Sequence, residues 1–169
     1  MTYQRKELLE YLNLISITYK EFSHEPLFTV DQSKKLRGMI EGAHTKNLFL
    51  KDKKDNFFLI SCYEDKTIDL KKLRSAINVK NISFASDVYL KKFLNVNPGA
   101  VTPMALINDK NKIVKFFLDK DIIKSKSVNF HPLLNNYTLN LSVENFLVFI
   151  KKINVVLNLI DLNVYKQIN

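Results

Sequence analysis

Residues 47–63 of this chain read NLFLKDKKDNFFLISCY, two apolar runs on either side of a charged pentapeptide. The runs Asn47 to Leu50 and Asn56 to Tyr63 are rich in aromatic and branched residues, which favour extended backbone. The charged segment Lys51 to Asp55 between them has turn composition, so the stretch predicts a β-hairpin. Cys62 falls inside the second run and is expected to be a buried strand residue.

The chain upstream of this hairpin predicts two helices and one short strand. Apolar residues at helical spacing between Leu8 and Ile15 predict the first helix. An extended piece from Tyr19 to His24 follows it and ends before a proline. Thr29 to Gln32 has the form of a capping box, which predicts a helix from Val30 to about Arg37.

The chain downstream alternates short strands with capped helices. The first predicted elements are a helix capped by Asp69 and running to Ile77, a strand from Asn81 to Ala85, and a helix from Asp87 to Leu94 capped by Ser86. A second hairpin made of Met104–Ile107 and Lys112–Leu118 follows, and then one or two helical turns from Asp119 to Lys124. The last predicted elements are strands Val128–Leu134 and Tyr137–Leu141, a helix capped by Ser142, and a strand from Val155 to Leu162. Strands outnumber helices and are often joined as hairpins. This order predicts an α+β fold, a single domain over residues 1–169 with a mixed, largely antiparallel sheet.

Composition limits the class of protein. The chain has 169 residues, 46% of them hydrophobic, which suits one domain with one packed core and excludes disorder. One cysteine allows no disulfide within the chain, as expected in a reducing cytosol. The N-terminus lacks the pattern of a signal peptide, and no apolar run approaches 18 residues. We therefore expect a cytoplasmic protein with no membrane partner.

The net charge of +9 indicates a polyanionic partner such as nucleic acid. The competing explanation is codon bias, because lysine supplies most of the positive charge and Lys, Asn and Ile are all abundant. Charge alone does not decide between these two explanations.

Two of the chain's three glycines lie in the two stretches whose residues suggest a functional site. These are Gly42-Ala43-His44-Thr45-Lys46-Asn47 and Pro98-Gly99-Ala100-Val101-Thr102-Pro103. A chain this poor in glycine is expected to keep one where the backbone needs positive φ or a close approach. We expect each stretch to be a polar loop beside a strand, a common place for binding residues.

Lys46 is the first candidate for chemistry, because a lysine beside a strand end can hold a phosphate or ribose or take part in proton transfer. Asn47 could orient a ligand through its amide, although a turn residue is the commoner role. Backbone groups near Gly99 could point into a pocket. His131 precedes a proline, which places its imidazole in or beside a strand, where it could donate to a substrate or serve only the structure.

Several kinds of site are excluded by spacing. The histidines His24, His44 and His131 fit no metal motif, so no metal is expected. No Ser–His–acid signature, Walker loop or dinucleotide fingerprint occurs, so no cofactor is expected.

Together, and in this order, the motifs resemble the YbaK/prolyl-tRNA-synthetase-associated editing family, and within it the freestanding Ala-tRNA(Pro) deacylases. The matching segments are His24-Glu25-Pro26, Phe28-Thr29-Val30, residues 42–54, Ile82 to Ser86, Pro98 to Pro103, Ala105 to Asp109 and Asn129 to Leu133. The resemblance extends over about residues 5–150. It implies a single α+β domain, a mixed sheet surrounded by helices, that hydrolyses the ester between a wrong amino acid and the 3′ end of tRNA, without a cofactor.

The resemblance also implies site residues. Lys46 matches the family's essential lysine, Gly99 and Pro103 match its G-x-x-x-P loop, and His131 matches the histidine of its Phe-His-Pro segment; these imply Lys46, Gly99 and His131 as catalytic. The residues implied to bind substrate are His44, Thr45, Asn47, Ala100, Val101, Thr102 and Pro103. Ala100 stands where many relatives have a small polar residue.

The expected mechanism is direct attack by water, because no activated nucleophile is evident. The expected partner is the acceptor end of tRNA(Pro), with prolyl-tRNA synthetase as a further candidate and with no DNA. Lysines expected to meet tRNA phosphates are Lys51, Lys53, Lys54, Lys80, Lys91 and Lys92. Two alternatives stay open: specificity for Cys-tRNA(Pro) or Ser/Thr-charged tRNA, and a non-catalytic module that binds tRNA or a synthetase.

Overall fold

The computed structural model describes residues 2–26 and 40–168. In chain order its elements are α1 (Arg5–Leu14), β1 (Lys20–Ser23), β2 (Ala43–Lys51), β3 (Phe57–Tyr63), α2 (Leu70–Ala76), β4 (Ser83–Phe84), α3 (Asp87–Tyr89) continued by a π-helical turn (Leu90–Leu94), a 3₁₀ helix (Pro103–Asn108), β5 (Val114–Asp119), α4 (Lys120–Ile123), β6 (Ser127–Phe130), β7 (Tyr137–Ser142), α5 (Val143–Lys152), β8 (Leu157–Asp161) and β9 (Lys166–Ile168). The predicted helix from Val30 to Arg37 lies outside the described residues. No helix in the described ranges is long and apolar enough to cross a membrane.

One mixed sheet organises the domain. The strand order is β1-β7-β6-β2-β3-β5-β8-β9, and β4 pairs with β2 beside this path. Five of the eight strand pairs are antiparallel, and β2 with β6, β3 with β5, and β5 with β8 are parallel. The prediction of an α+β domain with a mixed sheet and helices is confirmed.

The β2–β3 hairpin is confirmed and lies in the middle of the sheet. Its register pairs Leu50 with Phe58 and Lys51 with Phe57 across the charged turn. The carboxylate of Asp52 closes the turn by accepting hydrogen bonds from the backbone N–H groups of Lys54 and Asn56. Burial of both apolar runs on a shared sheet gives this hairpin its stability.

The strand β2 begins at Ala43, earlier than predicted. The residues from Ala43 to Asn47 are therefore strand and not loop. Ala43 and His44 pair with β6 in parallel, and a tertiary pairing of this kind leaves no local sequence signal.

Each face of the sheet carries its own core. The larger core includes Val128, Phe130, Leu139 and Leu141 and is covered by α1, α5 and the 3₁₀ helix. The smaller core lies on the opposite face of the sheet and is covered by α2. It consists of Phe58 and of buried residues on neighbouring strands whose side chains point to the same face. Side chains alternate between faces along a strand, so the parity of a residue tells which face it occupies.

The second predicted hairpin is wrong. Pro103 to Asn108 is a 3₁₀ helix, with Thr102 at its N-cap and Pro103 at its first position. The partner run forms β5, which lies between β3 and β8 and is parallel to both. Met104 and its neighbours are buried as a helical turn, and an apolar run buried all round shows no periodicity that separates helix from strand.

Other departures are smaller. The helix predicted from Asp87 to Leu94 is three residues of α-helix followed by the π-helical turn, and the Ser86 side chain makes no capping hydrogen bond at its start. The strand β9 was not predicted, because its three residues are exposed and gain their order from pairing with β8. Asp69 and Ser142 do cap their helices as predicted.

Candidate functional site

Polar side chains collect on the half of the sheet that α2 leaves uncovered. The parallel register of β2 and β6 places His44 beside Asn129, on the face opposite Val128 and the larger core. Lys46 has the same parity as His44 on β2 and therefore shares this face. We call this surface the polar face; its residues are His24, His44, Lys46, Asn129, His131, Thr138 and Asn140.

The register of β1, β7 and β6 adds two histidines to the polar face. Phe22 pairs with Thr138, and the His24 Nε2 atom lies 2.9 Å from the Thr138 hydroxyl. The rings of His24 and His131 are 6.1 Å apart between centroids. His131 directly follows β6, as the proline after it predicts.

The hydrogen bond of His131 fixes its tautomer. Its Nδ1 atom lies 2.7 Å from the Tyr137 carbonyl oxygen, an acceptor, so Nδ1 carries the proton and donates. Burial lowers the pKa of His131 below its usual value, and the neighbouring His24 acts in the same direction. The neutral ring therefore presents the lone pair of Nε2 as an acceptor at neutral pH.

Side-chain amides on the polar face link β6 and β7 to the chain that enters β2. The Glu41 carbonyl oxygen accepts hydrogen bonds from Asn129 Nδ2 at 3.0 Å and from Asn140 Nδ2 at 2.8 Å. The His44 Nε2 atom lies 2.9 Å from the Ile40 carbonyl oxygen. The implied ligand contact of His44 thus competes with an internal hydrogen bond.

The structure requires a glycine at position 42, both for positive φ and for close packing. Its φ is +93°, and a Cβ built at this position would clash with the Ser127 hydroxyl and lie 2.9 Å from the Ser127 carbonyl oxygen. Only glycine allows the chain to approach β6 this closely as it enters β2. Gly99 has φ +84°, so the expectation of positive φ holds at both positions.

Asn47 points away from Lys46, to the face of the larger core. Its Nδ2 atom donates to the Val101 carbonyl oxygen at 3.0 Å, and its Oδ1 atom accepts from the Ser61 hydroxyl at 2.6 Å. The side chain thus attaches the loop 99–103 to β2. The structure uses both ends of this amide internally, in a role that the sequence did not predict.

Part of one edge of β2 has no strand partner among the residues that the structure describes. On that edge β2 pairs with β6 at Ala43 and His44 and with β4 at Leu50 and Lys51, and residues 45–48 between them have no strand partner in the described ranges. The His44 carbonyl oxygen accepts from Glu64 on the β3 side, so by alternation the N–H and C=O of Asn47 point to the open edge. Asn47, whose side chain holds the loop 99–103, is therefore also the residue whose backbone groups face this edge.

The other implied residues of both stretches are mostly buried. Thr45 Oγ1 donates to the Asn129 carbonyl oxygen at 2.9 Å, where β6 leaves β2. Ala100, Thr102 and Pro103 are buried against the larger core, and the Thr102 hydroxyl accepts from the backbone N–H of Met104. Their contribution is to the shape and rigidity of the loop.

Lys46 reaches the turn that follows β3. Its ammonium group donates to the carbonyl oxygen of Lys66, and Cys62 lies opposite it in the β2–β3 register. Lys66 in turn contacts Asp119, a buried acid at the end of β5. Neither residue was predicted; the signal for Asp119 was an acid ending the apolar run of β5, where burial of a charge requires a partner.

Cys62 offers no nucleophile. Burial raises the pKa of its thiol to about 12, so the thiol stays protonated at neutral pH. Its prediction as a buried strand residue is confirmed. In residues 2–26 and 40–168, no group of three or more His, Cys, Asp or Glu side chains could hold a metal ion.

The six candidate phosphate-binding lysines fall into two sets. Lys53, Lys54 and Lys80 line one groove together with Lys115, between the β2–β3 turn and the chain after α2. We call this the basic groove; its other polar residues are Asp52, Asn56, Ser75, Asn78, Asn81, Asn158 and Gln167. The second set, Lys51, Lys91 and Lys92, lies outside the groove lining. Lys51 pairs with Asp55 and lies over the Tyr89 ring.

The chain is similar to known proteins over most of its length. The family model of the aminoacyl-tRNA editing domain matches residues 24–149. The prolyl-tRNA synthetase associated domain-containing protein 1 of Mus musculus is 36% identical over 152 residues, covering 87% of this chain and 89% of that protein. The prolyl-tRNA editing protein ProX of Acetoanaerobium sticklandii is 32% identical over 142 residues, covering 83% and 87%.

The fold also matches solved structures. A proposed trans-editing enzyme for prolyl-tRNA synthetase superposes with a TM-score of 0.66 at 14% identity, over 90% of each chain. At this sequence identity the match supports a shared fold and nothing more. The family model and the two relatives cover most of the chain, and on that ground the chain belongs to the aminoacyl-tRNA editing domain family.

Proposed function

We propose that this protein is a trans-editing deacylase that hydrolyses the ester between alanine and the 3′ end of tRNA(Pro). The observation that carries the proposal is that two adjacent residues of one strand, Lys46 and Asn47, connect the polar face with the loop 99–103. Lys46 and His131 share the polar face, and Asn47 attaches the loop 99–103 to β2 from the opposite face. A positive charge, a neutral acceptor and the backbone groups of a loop are components that can position water and stabilise the charge that develops in ester hydrolysis.

Water is the proposed nucleophile. The Cys62 thiol is buried and protonated, and the Ser61 hydroxyl is committed to Asn47. The Nε2 lone pair of His131 would accept a hydrogen bond from the attacking water or from the substrate, since its Nδ1 proton is already donated to Tyr137. No acyl-enzyme intermediate then forms.

Lys46 would hold the phosphate or ribose of the terminal adenosine as a point charge and stabilise negative charge that develops on oxygen. The carbonyl of Lys66 sets the direction of its ammonium group before the substrate arrives. Backbone groups around Gly99 would hold the α-amino group, because positive φ at this residue turns the peptide groups away from a strand ladder.

The proposed choice of alanine follows from size. Prolyl-tRNA synthetase cannot fully exclude an amino acid smaller than proline, and a second, smaller site can hydrolyse the product that escapes. Both relatives named above carry prolyl-tRNA in their names. Such an enzyme would work in the cytoplasm on the acceptor end of tRNA(Pro), with the synthetase as a candidate partner.

The test is deacylation of Ala-tRNA(Pro), with Pro-tRNA(Pro) as the control substrate and Cys- and Ser-charged tRNA as the competing specificities. We expect hydrolysis of the alanyl ester and no measurable hydrolysis of the prolyl ester. Faster hydrolysis of the Cys or Ser ester would reject the alanine specificity, and binding of tRNA without hydrolysis of any ester would favour the non-catalytic module.

Lys46→Ala tests the mechanism within the same assay. Its matched control is Lys152→Ala, an exposed lysine in the last turn of α5. We expect the first variant to lose about 100-fold or more in deacylation, as for removal of one stabilising donor from an active site, and the second to keep the wild-type rate. Equal rates in the two variants would remove Lys46 from the mechanism.

A further inference from the structure

A chain of polar contacts runs inward from Lys46. The Lys46 ammonium donates to the Lys66 carbonyl oxygen. The Lys66 ammonium in turn contacts Asp119 Oδ2 at 2.5 Å, Asp121 Oδ2 at 3.0 Å and Asn163 Oδ1 at 3.2 Å. Both ends of Lys66 are therefore held, its carbonyl by the proposed catalytic lysine and its side chain by residues at the end of β5, in α4 and after β8.

Asp119 is the buried end of this chain. Its side chain is 0% exposed, and its Oδ1 atom has no hydrogen-bond partner in the described part of the chain. The sheet registers place Lys46 opposite Cys62, and Cys62 one step beyond the Ser61–Leu118 pair and so beside Asp119. Lys46 and Asp119 thus stand on the same face, two strands apart, with only the small Cys62 side chain between them.

Stability does not explain this arrangement. A buried ion pair has to offset the loss of hydration of both charges, and apolar residues of similar volume are often as stable. An unpaired carboxylate oxygen adds to that cost. Burial alone would lower the pKa of Lys66, but hydrogen bonds to Asp119 and Asp121 outweigh it, so the pKa is raised and the ammonium group stays charged at neutral pH.

We propose that Lys66 and Asp119 are a positioning pair that fixes the turn after β3, and through the Lys66 carbonyl the ammonium group of Lys46, in the orientation the reaction needs. The proposal rests on the proposed function, since that function gives Lys46 its task. Asp121 and Asn163 hold the Lys66 side chain from its exposed side. Asp119, fully buried and part of β5, joins it to the rigid sheet.

The experiment compares a broken pair with a replaced pair. Lys66→Met removes one charge and leaves Asp119 buried and unpaired, so it is expected to lower stability. The double variant Lys66→Met/Asp119→Leu removes both charges and is expected to regain most of that stability. Lys66→Arg keeps the charge and serves as the conservative rescue.

The primary readout is the rate at which acetic anhydride acetylates Lys46, followed by mass spectrometry on the folded, tRNA-free protein. We expect the rate to rise about fivefold in both Lys66→Met and the double variant, the factor that corresponds to the loss of one net hydrogen bond. It should stay near wild type in Lys66→Arg. The matched control is Lys120→Met, which breaks the 2.5 Å pair with Asp161 nearby on the same end of the sheet.

The double variant separates positioning from plain structural support. A pair that only stabilises the fold predicts that the double variant returns Lys46 acetylation and kcat for Ala-tRNA(Pro) to wild-type values together with stability. Positioning predicts that stability returns while acetylation stays high and kcat stays low. A wild-type acetylation rate in the double variant would overturn the proposal.

The two proposals can fail separately. If the wild-type protein hydrolyses no charged tRNA, the proposed function is rejected, and the acetylation rates, which need no substrate, still decide whether the pair holds Lys46. If hydrolysis is normal in the double variant, the positioning role is rejected and the proposed function stands.

Discussion

Gly42 marks the point where the chain enters β2, and no side chain fits there. Gly42→Ala would push a methyl group against the Ser127 hydroxyl and leave it 2.9 Å from the Ser127 carbonyl oxygen, at a φ of +93°. We expect a loss of about 2 kcal/mol in the free energy of unfolding, from overpacking and backbone strain together. Urea denaturation followed by circular dichroism measures it.

Adding Ser127→Ala to this variant is the control. It removes the hydroxyl clash but neither the backbone contact nor the strain, so we expect only partial recovery. Full recovery would mean that the hydroxyl alone makes Gly42 necessary.

His131 gives a prediction for pH. Its pKa in the folded protein is lowered by burial, so the unfolded chain binds the proton at a pH where the folded protein does not. Stability is therefore complete above the unfolded value, about 6.5, and falls as pH drops through it, by at most about 1.4 kcal/mol per pH unit. Unfolding in urea between pH 5.5 and 7.5 measures the slope.

The comparison variant is His131→Asn, whose amide can still donate to the Tyr137 carbonyl oxygen but does not titrate. Its slope over this pH range should be shallower than that of the wild-type protein. The same slope in both proteins would mean that His131 titrates normally and is not the neutral acceptor that the mechanism uses.

Single residues also show what sequence can and cannot tell. Lys46 and Asn47 are neighbours in one motif, which suggests one role, but strand alternation sends them to opposite faces. The motif marks both residues as candidates, but their separate roles follow only from the start of the strand at Ala43. Lys66 and Asp119 lie 53 residues apart and no local pattern joins them.

At the scale of elements, the 3₁₀ helix from Pro103 to Asn108 determines where the loop 99–103 ends. Thr102 is fully buried, and its hydroxyl accepts from the backbone N–H of Met104. Thr102→Val keeps the shape and removes this cap, which should lower the free energy of unfolding by about 1 kcal/mol. It should also lower deacylation several-fold, because the carbonyl of Val101 next to it holds Asn47.

Ser142→Ala is the matched control, since it removes the corresponding hydroxyl cap from α5. It should cost a similar amount of stability without changing the rate of deacylation per folded molecule. Equal rates in the two cap variants would show that the 3₁₀ helix supports the fold and not the site.

Elements with their own amphipathic pattern were predictable, and elements defined by distant partners were not. The β2–β3 hairpin and the capped helices α2 and α5 carry their signals locally, in turn residues and in Asp69 and Ser142. The parallel pairing of β5 with β3 and β8 is set by contacts across the sheet, so the apolar run before it was misread as a hairpin partner.

At the scale of the whole molecule, the fold gathers part of the net charge of +9 on one side of the sheet. Codon bias would scatter lysines, whereas Lys53, Lys54, Lys80 and Lys115 line one groove on the side of the sheet that also carries Lys46. The acid in the groove, Asp52, turns its oxygens inward to Lys54 and Asn56. The groove therefore presents net positive charge, which would suit a phosphate backbone.

The triple variant Lys53→Ala/Lys54→Ala/Lys80→Ala tests whether this groove meets tRNA. Each lost phosphate contact should reduce the steepness of log K against log salt concentration by nearly one unit, so we expect a reduction of about 2 with weaker binding at low salt. The control triple, Lys51→Ala/Lys91→Ala/Lys92→Ala, removes the same charge outside the groove. Fluorescence anisotropy with uncharged tRNA(Pro) at several salt concentrations measures both. Because both triples change net charge equally, a larger reduction in the groove triple than in the control triple marks phosphate contacts made in the groove, and a wild-type slope in the groove triple would return the lysine excess to codon bias.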